Sequence, residues 1–395
     1  MGIKDFSKLT KEIPGSRILV NPSYISRTKI AIDAMVFMWS YYCMSVDRSF
    51  YHMSVLEEEV DRDDIRKEFL EKMATGINKL LKLKVTPIFV FDGIHRIEKS
   101  ETTKSRTERR EKSENQSNIL LNEYKERIEI DGIETEIEVE IIPYETDEVK
   151  QKLVIEEVEQ TRKMTKDEKE TYKKKIETKL KQCVTIKKDD IMALRRLLEA
   201  IGIPSITALN DGEELCASMC RERKVFAAYT TDTDVLAFGS PTQMISVKKN
   251  ELEIVILDVI LKERNWTMDE FVDFCITLSC DFNSRIKKIG PARALILIDK
   301  YRSIDNYPSH LGKIKLDTSV LNHETCREIF RPKSSVELCV EGLTDDELSN
   351  LKIDKTKLKT CQDVLEELEL SGWEDTLSDL YEDLGEPIST LVDGF

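Results

Sequence analysis

Three short apolar runs that each end in aspartate constrain the fold of this chain more than any other feature. The runs are KIAIDA (29–34), TPIFVFDG (86–93) and KVFAAYTTDTD (224–234). Each predicts a buried β-strand with a carboxylate at or just beyond its carboxyl end. Helical patterns lie between the runs, so the sequence predicts an α/β fold with a mostly parallel central sheet flanked by helices.

The aspartates of these runs are expected to lie together. They are Asp33, Asp92, Asp232 and Asp234. Each one alone is most simply explained as a helix cap. In an open parallel sheet, however, the functional crevice lies beyond the carboxyl ends of the strands. A cap explains one aspartate, but it does not explain why each central strand ends in one.

Three further acids are candidates for the same site. Asp211 and Glu213 begin a helical pattern after the strand-like GIPSITAL (202–209), and Asp281 follows an apolar helix. Complementing the helix dipole is an alternative role for the first two. Two carboxylates about 4 Å apart repel by roughly 4 kcal/mol at an effective dielectric near 20, so a converging set binds cations or shifts its pKa values upward. Ligands that are all oxygen favour Mg²⁺ or Mn²⁺, and two such ions suit phosphodiester hydrolysis.

A basic run begins just after Asp92. The segment RIEKSETTKSRTERREK (96–112) carries cations at roughly helical spacing, namely Lys99, Lys104, Arg106, Arg109 and Arg110. Beside a metal site these side chains would hold a substrate phosphate and oppose developing charge. A solvated helix face is the alternative.

A second phosphate-binding candidate lies near Asp281. The segment IKKIGPARALILIDKY (286–301) has a Gly-Pro turn that opens a helix, with Lys287, Gly290 and Arg293 around it. Backbone N–H groups at such a helix start suit a duplex phosphate that is bound without base specificity.

Composition limits the possible partners and compartments. The net charge is −15 and the pI is about 5.1. These values argue against a nucleic-acid partner unless the basic side chains are concentrated locally. The sequence has no apolar run that could span a membrane and no signal-peptide pattern. The nine cysteines include no Cys-x-x-Cys pair, so we expect reduced thiols in a cytosolic or nuclear protein.

The middle of the chain is strongly charged and has few aromatic residues. In ERIEIDGIETEIEVEII (126–142), Asp131-Gly132 between alternating runs predicts a β-hairpin. EEVEQTRKMTKDEKETYKKKIETKLKQ (156–182) predicts a solvated helix. The predicted organisation is an N-terminal region (1–110), a charged insertion (111–183), an internal region (184–330) and a C-terminal segment of short acidic helices (331–395).

Several motifs, taken together and in order, resemble the flap endonuclease/XPG family of structure-specific 5′ nucleases. They are MGIKDF, AIDA, FVFDG, KSRTERR, AAYTTDTDVLAFGSP, FVDFCITLSCD and IGPARA. The resemblance covers roughly 1–115 and 184–350. It implies that 1–110 and 184–330 are nuclease regions and that 111–183 is an insertion or arch region. The long charged segment and the lack of a basic C-terminal tail fit a divergent member, such as a viral one.

The resemblance implies a fold and an activity. The fold is the PIN/Rossmann-like 5′-nuclease fold with a helical arch and a helix-two-turn-helix. The activity is Mg²⁺-dependent 5′-flap endonuclease and 5′–3′ exonuclease cleavage of DNA near single-strand/duplex junctions in replication and repair. Two metal ions are implied, with Mn²⁺ as a substitute. We expect a monomer, in the nucleus or at a cytoplasmic replication site if the protein is viral, without a clear sliding-clamp motif.

The resemblance also assigns residues. The metal-binding acids of the family fall on Asp33, Asp92, Asp211, Glu213, Asp232, Asp234 and Asp281. Its active-site lysine and arginine fall on Lys99 and Arg106. Gly2 matches a glycine close to the scissile phosphate. Trp39 matches an aromatic that stacks on a terminal base pair, with ordinary helix core as the alternative.

The sequence departs from the family pattern at two site positions. Asp211 stands where the family has the longer Glu, and Lys288 replaces a glycine in the duplex-binding turn of 286–294, which leaves the K⁺ site expected there open. An RNA-degrading nuclease of the same fold and a non-catalytic DNA-junction scaffold remain the alternative functions.

Overall fold

A seven-stranded sheet forms the centre of the fold. The structure is a computed structural model that describes residues 2–52, 61–132, 164–248, 251–370 and 372–385. The strands of the sheet are β1 (Arg17–Val20), β2 (Lys29–Asp33), β3 (Thr86–Phe91), β4 (Ser205–Thr207), β5 (Ala227–Tyr229), β6 (Thr242–Val247) and β7 (Leu252–Ile256). A separate two-stranded ladder joins β8 (His310–Leu311) to β9 (Ile314–Lys315).

The central strands of the sheet run parallel, as predicted. The strand order is β1-β7-β6-β5-β2-β3-β4. Strand β2 pairs in parallel with β3 and β5, and the pairs β3–β4 and β5–β6 are also parallel. Strand β7 is antiparallel to both β6 and β1, so one side of the sheet is an antiparallel extension that the sequence reading did not predict. The predicted fold class is therefore confirmed, with a mixed edge added.

Helices alternate with the strands and continue to the C-terminal end of the described chain. They are α1 (Phe6–Glu12), α2 (Ala34–His52), α3 (Arg62–Lys82), α4 (Ser100–Gly132), α5 (Lys166–Cys183), α6 (Lys188–Ala200), α7 (Gly212–Arg221), α8 (Asp234–Ala237), α9 (Leu257–Arg264), α10 (Met268–Leu278), α11 (Pro291–Tyr301), α12 (His323–Phe330), α13 (Ser335–Leu338), α14 (Asp345–Ser349), α15 (Gln362–Glu367) and α16 (Trp373–Leu384). The last four match the predicted short acidic helices.

Two sheet strands show why the core forms where it does. Every residue of β3 is buried, and in β2 only Lys29 is not fully buried. Strands covered on both faces are apolar throughout, which explains the uninterrupted apolar runs of the sequence. Helix α7 is also buried from Gly212 to Cys220, because it packs against β2, β3 and β5.

The chain divides into two compact units. The first unit consists of 1–43, 66–102 and 187–395, and it contains all the strands named above. The second unit consists of 44–65 and 103–186, and its described part is helical. Within the second unit, Lys181 pairs with Asp47 at 2.9 Å. The domain boundaries that we drew from the sequence at 110, 183 and 330 stay predictions.

The predicted hairpin around Asp131-Gly132 is wrong in its first half. Residues 126–132 continue helix α4, and 133–142 lie outside the described residues. The alternation before the turn is only RIEI, and the preceding NILLNEYKER is rich in helix-forming Leu, Glu, Lys and Arg, which extend the helix through it. The predicted charged helix of 156–182 is confirmed from Lys166 onward, where a Thr165/Glu168 capping box begins α5; 156–163 lie outside the described residues.

All nine cysteines are free thiols, as the sequence predicted, and seven of them are buried. Among the helices of the described residues, none combines the length and apolar character that a bilayer crossing requires.

Candidate metal centre

The first unit brings the candidate carboxylates to one edge of the sheet. Asp33 is the last residue of β2, and it is paired in register with Val90 of β3, so Asp92 follows two residues further along the neighbouring strand. Strand β5 ends at Tyr229 and leads into Asp232 and Asp234. Asp211 directly precedes α7, Glu213 lies in the first turn of that helix, and Asp281 follows α10. Asp33, Asp92, Asp232 and Asp234 thus lie at or just beyond the carboxyl ends of parallel strands, and the role of the whole set as metal ligands stays a prediction.

Asp33 is buried between polar partners and negative neighbours. Its Oδ1 accepts a hydrogen bond from the Val36 N–H at 3.1 Å, and its Oδ2 accepts one from Thr230 Oγ1 at 3.0 Å. Burial, together with the charges of Asp92 and Asp232, raises the pKa of Asp33 to about 7. The shift shows that Asp33, Asp92 and Asp232 share one electrostatic environment.

Asp92 and Glu213 connect the end of β3 to helix α7. The Gly212 N–H donates to Asp92 Oδ1 at 2.8 Å, which fixes that carboxylate against the start of the helix. Burial raises the pKa of Asp92, and Asp211 adds to the shift. Burial also raises the pKa of Glu213 well above its usual value, and the charges of Asp211, Asp232 and Asp92 act in the same direction.

The loop after β5 holds Asp232 and Asp234 rigidly. Gln243 Nε2 donates to the backbone carbonyls of Thr230 at 3.0 Å and Asp232 at 2.9 Å. The Asp232 N–H donates to Thr230 Oγ1, and the Asp234 N–H donates to Asp232 Oδ1, both at 3.0 Å. Burial raises the pKa of both carboxyls, with Asp281 adding to the shift at Asp232 and Asp232 adding to the shift at Asp234. These backbone N–H and carbonyl groups are thus hydrogen-bonded, whereas the two carboxylates remain close to other negative charges.

Two cations lie among the carboxylates. Lys99 Nζ is 2.6 Å from Asp211 Oδ1 and 2.9 Å from Glu213 Oε1. Arg96 Nε is 2.7 Å from Asp211 Oδ2, and its Nη2 also contacts Glu214. Burial by itself would lower the pKa of Lys99, but the charges of Glu213 and Asp211 raise it above the ordinary lysine value, so the ammonium is charged.

The residues present fit a hard divalent cation. Both carboxylate oxygens of Asp234 are buried and find no hydrogen-bond partner among the described residues. A buried carboxylate without a partner is costly unless a cation compensates it. No three His, Cys, Asp or Glu side chains of the described chain are close enough to hold a metal as they stand. Asp211 and Glu213 are paired with Lys99 instead. With only oxygen donors, the set suits Mg²⁺ or Mn²⁺.

The N-terminal residues pack directly against the acidic loop. Gly2 has a φ of 80°, and a Cβ built on it would lie 2.1 Å from Asp232 Oδ1. The next residue donates its N–H to Thr233 Oγ1 at 2.9 Å, and the Lys4 N–H donates to the Ser279 carbonyl at 3.1 Å. Only glycine fits this close approach without moving the carboxylate.

Replacing Gly2 with Ala is expected to displace Asp232, and under the metal-dependent nuclease activity expected from the sequence it should weaken divalent-ion binding and slow cleavage at least about tenfold. Isothermal titration with Mg²⁺ and single-turnover cleavage of a DNA flap measure the two effects. Gly312→Ala is the matched control: Gly312 also has a positive φ, 58°, but an added Cβ meets nothing within 4 Å. Equal loss in both variants would show that backbone strain alone, and not the contact with Asp232, is responsible.

The remaining predicted site residues fall into three groups. Trp39 on α2 is 41% exposed, which excludes the helix-core alternative, while its stacking role stays a prediction. The predicted turn is present before α11, with Gly290 at the N-cap and Pro291 at N1, while Lys287 and Arg293 are exposed. Lys104, Arg106, Arg109 and Arg110 are exposed on the part of α4 that belongs to the second unit.

The backbone of the turn before α11 shows why glycine would suit position 288. Lys288 has a φ of 67°, a conformation that glycine adopts most easily. Arg293 Nη1 donates to the Lys288 carbonyl at 2.5 Å, so this side chain helps to close the turn.

Sequence reasoning missed four residues that shape the site. They are Arg96, Glu214, Thr230 and Gln243. The contacts of the first three join segments far apart in the chain, such as Arg96 and Asp211, which are 115 positions apart. The one available signal was the position of Arg96, three residues before Lys99 in the segment that follows Asp92.

Comparisons with known proteins identify the family. Two family models match the chain, the XPG N-terminal domain over residues 1–113 and the XPG I-region over residues 202–281. A flap endonuclease 1 from Glycine max is 30% identical over 322 residues, which are 79% of this chain and 70% of the relative. A flap endonuclease 1 from Encephalitozoon cuniculi is 30% identical over 312 residues, which are 78% of this chain and 74% of the relative.

A solved structure supports the same conclusion at the level of the fold. The catalytic core of Rad2 in complex with a DNA substrate matches with a TM-score of 0.58 and 16% identity, over 97% of this chain and 100% of that chain. The two relatives at 30% identity, each covered over more than two thirds of its length, carry the assignment further. The chain belongs to the flap endonuclease/XPG family of structure-specific nucleases.

Proposed function

We propose that this chain is a Mg²⁺-dependent structure-specific 5′-flap endonuclease with 5′–3′ exonuclease activity that cleaves DNA near single-strand/duplex junctions in replication and repair. The observation that carries the proposal is the buried carboxylate of Asp234, which has no hydrogen-bond partner among the described residues and lies amid further buried acids. Two of the neighbouring acids, Asp211 and Glu213, hold the charged Lys99. The names of the relatives, flap endonuclease 1, support the flap as substrate, and the Rad2 core bound to a DNA substrate supports DNA.

The metal would be held by oxygen ligands alone. The proposed ligands are the carboxylates of Asp33, Asp92, Asp211, Glu213, Asp232, Asp234 and Asp281. Two Mg²⁺ ions, or Mn²⁺ in their place, would supply an activated water and neutralise the leaving oxygen of the phosphodiester. The residues themselves exclude bulk water by their burial and hold the negative charge that makes cation binding favourable. A K⁺ ion at the turn before α11 is a further proposal.

The cationic residues divide into two proposed roles. Lys99 would contact the scissile phosphate, because its ammonium is already charged and held beside the acids. Arg106 is its proposed partner in catalysis. Gly2 and Trp39 are proposed to contact the substrate near the cleaved bond. The proposed backbone contacts elsewhere on the DNA are Lys104, Arg109, Arg110, Lys287, Gly290 and Arg293.

A cleavage assay on matched substrates tests the proposal. Purified protein is mixed with a labelled 5′ flap of DNA, the same flap in RNA and a plain duplex, each with Mg²⁺ and with EDTA. We expect cleavage of the DNA flap near its junction, dependent on Mg²⁺. Preferential cleavage of RNA would favour an RNA-degrading nuclease, and tight junction binding without cleavage would favour a scaffold.

Partners and compartment follow as proposals from the same function. We propose a monomer that acts in the nucleus, or at a cytoplasmic replication site if the protein is viral. Imaging of a fluorescent fusion during DNA synthesis would decide between the two, and exclusion from every site of DNA synthesis would contradict both.

A further inference from the structure

Arg96 occupies a place among the acids that sequence patterns did not assign to it. Its Nε lies 2.7 Å from Asp211 Oδ2, its Nη2 contacts Glu214, and its side chain is only 12% exposed. Burying a guanidinium is costly unless charged partners compensate it on more than one side. Arg96 is therefore held at a defined position.

Asp211 differs from the unpartnered Asp234 in its surroundings. Both of its carboxylate oxygens are taken by cations, since Oδ2 faces Arg96 and Oδ1 lies 2.6 Å from Lys99 Nζ. Asp234 has no such partner for either oxygen among the described residues. Asp211 is thus neutralised by protein cations, whereas the charge of Asp234 is not neutralised in this way by the described residues.

Glu214 anchors Arg96 from the other side. It is 3% exposed, and its Oε1 accepts a hydrogen bond from Lys333 Nζ at 2.8 Å. The order Lys333, Glu214, Arg96, Asp211, Lys99 is an alternating chain of charges that ends at the proposed catalytic ammonium. Such a chain fixes each member in one geometry.

We propose that Arg96 is a positioning residue that keeps Asp211 paired with Lys99 and competes with the metal ions for Asp211 Oδ2. The inference rests on the proposed function, because it assumes a divalent-ion site among these acids. With Oδ2 held by Arg96, the short Asp211 side chain presents Oδ1 to Lys99. Without Arg96, the freed oxygen becomes available to a metal ion, and Lys99 loses the fixed position of one of its two anchors.

Metal binding gives a test that does not depend on cleavage. Mg²⁺ and Mn²⁺ are titrated calorimetrically into the wild type, Arg96→Gln and Arg196→Gln. Arg96→Gln is expected to bind the ions several-fold more tightly, because it frees a carboxylate oxygen and removes a positive charge. Arg196→Gln makes the same change at an exposed arginine that pairs with Glu367 outside the acidic site, so its ion binding should match the wild type. Equal or weaker binding by Arg96→Gln overturns the inference.

Cleavage rates test whether Arg96 acts through Lys99. Arg96→Gln is expected to lower the single-turnover rate about tenfold with little change in KM. In a Lys99→Ala background the same substitution should have almost no further effect, because residues that act as a unit are not additive. Additive losses overturn the positioning role.

The outcomes separate this inference from the proposed function. A wild type that binds Mg²⁺ and cleaves the flap, with Arg96→Gln indistinguishable from it, overturns the inference alone. A wild type that binds no ion while Arg96→Gln does supports the inference and contradicts the proposed function of the wild-type site. Absence of ion binding in both proteins overturns both.

Discussion

Replacing Asp232 with Asn is expected to lower the single-turnover cleavage rate at least about 10³-fold, the scale of losing a principal electrostatic contribution at an active site. Asp232 is 7% exposed and packs against Gly2. Its negative charge raises the pKa values of Asp33, Glu213 and Asp234. The Asn side chain keeps the shape and can still accept the hydrogen bond from the Asp234 N–H. The substitution therefore removes charge and little else.

Two further measurements make the Asp232 result specific. Flap binding, followed by fluorescence anisotropy with Ca²⁺, should be retained or tightened, because one negative charge no longer repels the DNA phosphates. Burial raises the pKa of Asp232, so its ionised form lowers the free energy of unfolding as the pH rises above the usual carboxyl pKa. The melting temperature of Asp232→Asn at neutral pH should thus equal or exceed that of the wild type.

The matched control for Asp232→Asn is Asp258→Asn. Asp258 is exposed in the first turn of α9, outside the acidic site, and its replacement should leave cleavage unchanged. Full activity of Asp232→Asn would contradict the proposed metal site, whereas an equal loss in both variants would point to a general effect on the fold.

The central strands could be predicted from the sequence because their environment leaves a clear pattern. Strands β2 and β3 are covered on both faces, so their central residues are apolar, and an aspartate follows that apolar run, Asp33 as the last residue of β2 and Asp92 just after β3. The β6–β7 pair leaves a weaker pattern: TQMISV mixes polar and apolar residues, and its pairing depends on a register shift between Met244 and Ser246. Such a shift is set by packing in three dimensions, which one sequence does not display.

The acidic part of the site could likewise be predicted, while its supporting residues could not. Acids at strand ends are informative because the topology of a parallel sheet brings those ends together. No comparable sequence rule predicts the positions of Arg96 and Gln243. Their roles arise from contacts to Asp211 and to the carbonyls of the Asp232 loop, and an isolated arginine or glutamine in a sequence fits many other roles. The hairpin error has a related origin, because four alternating residues fit a helix face as well as a strand.

Replacing Lys99 with Ala is expected to slow cleavage about 10²–10³-fold at saturating Mg²⁺ and flap, the loss typical of removing one preorganised charge contact to a reacting group. The ammonium has two carboxylate partners, lies 5.2 Å from the centre of the Phe282 ring and is only 16% exposed on its side chain, so it is already in place before substrate binds. Single-turnover kinetics should show the loss in rate with a small change in KM. Lys262→Ala, which removes an exposed lysine in the last turn of α9, outside the acidic site, should cleave at the wild-type rate. If Lys99→Ala instead loses affinity while its rate at saturation is unchanged, Lys99 binds the DNA without taking part in the chemical step.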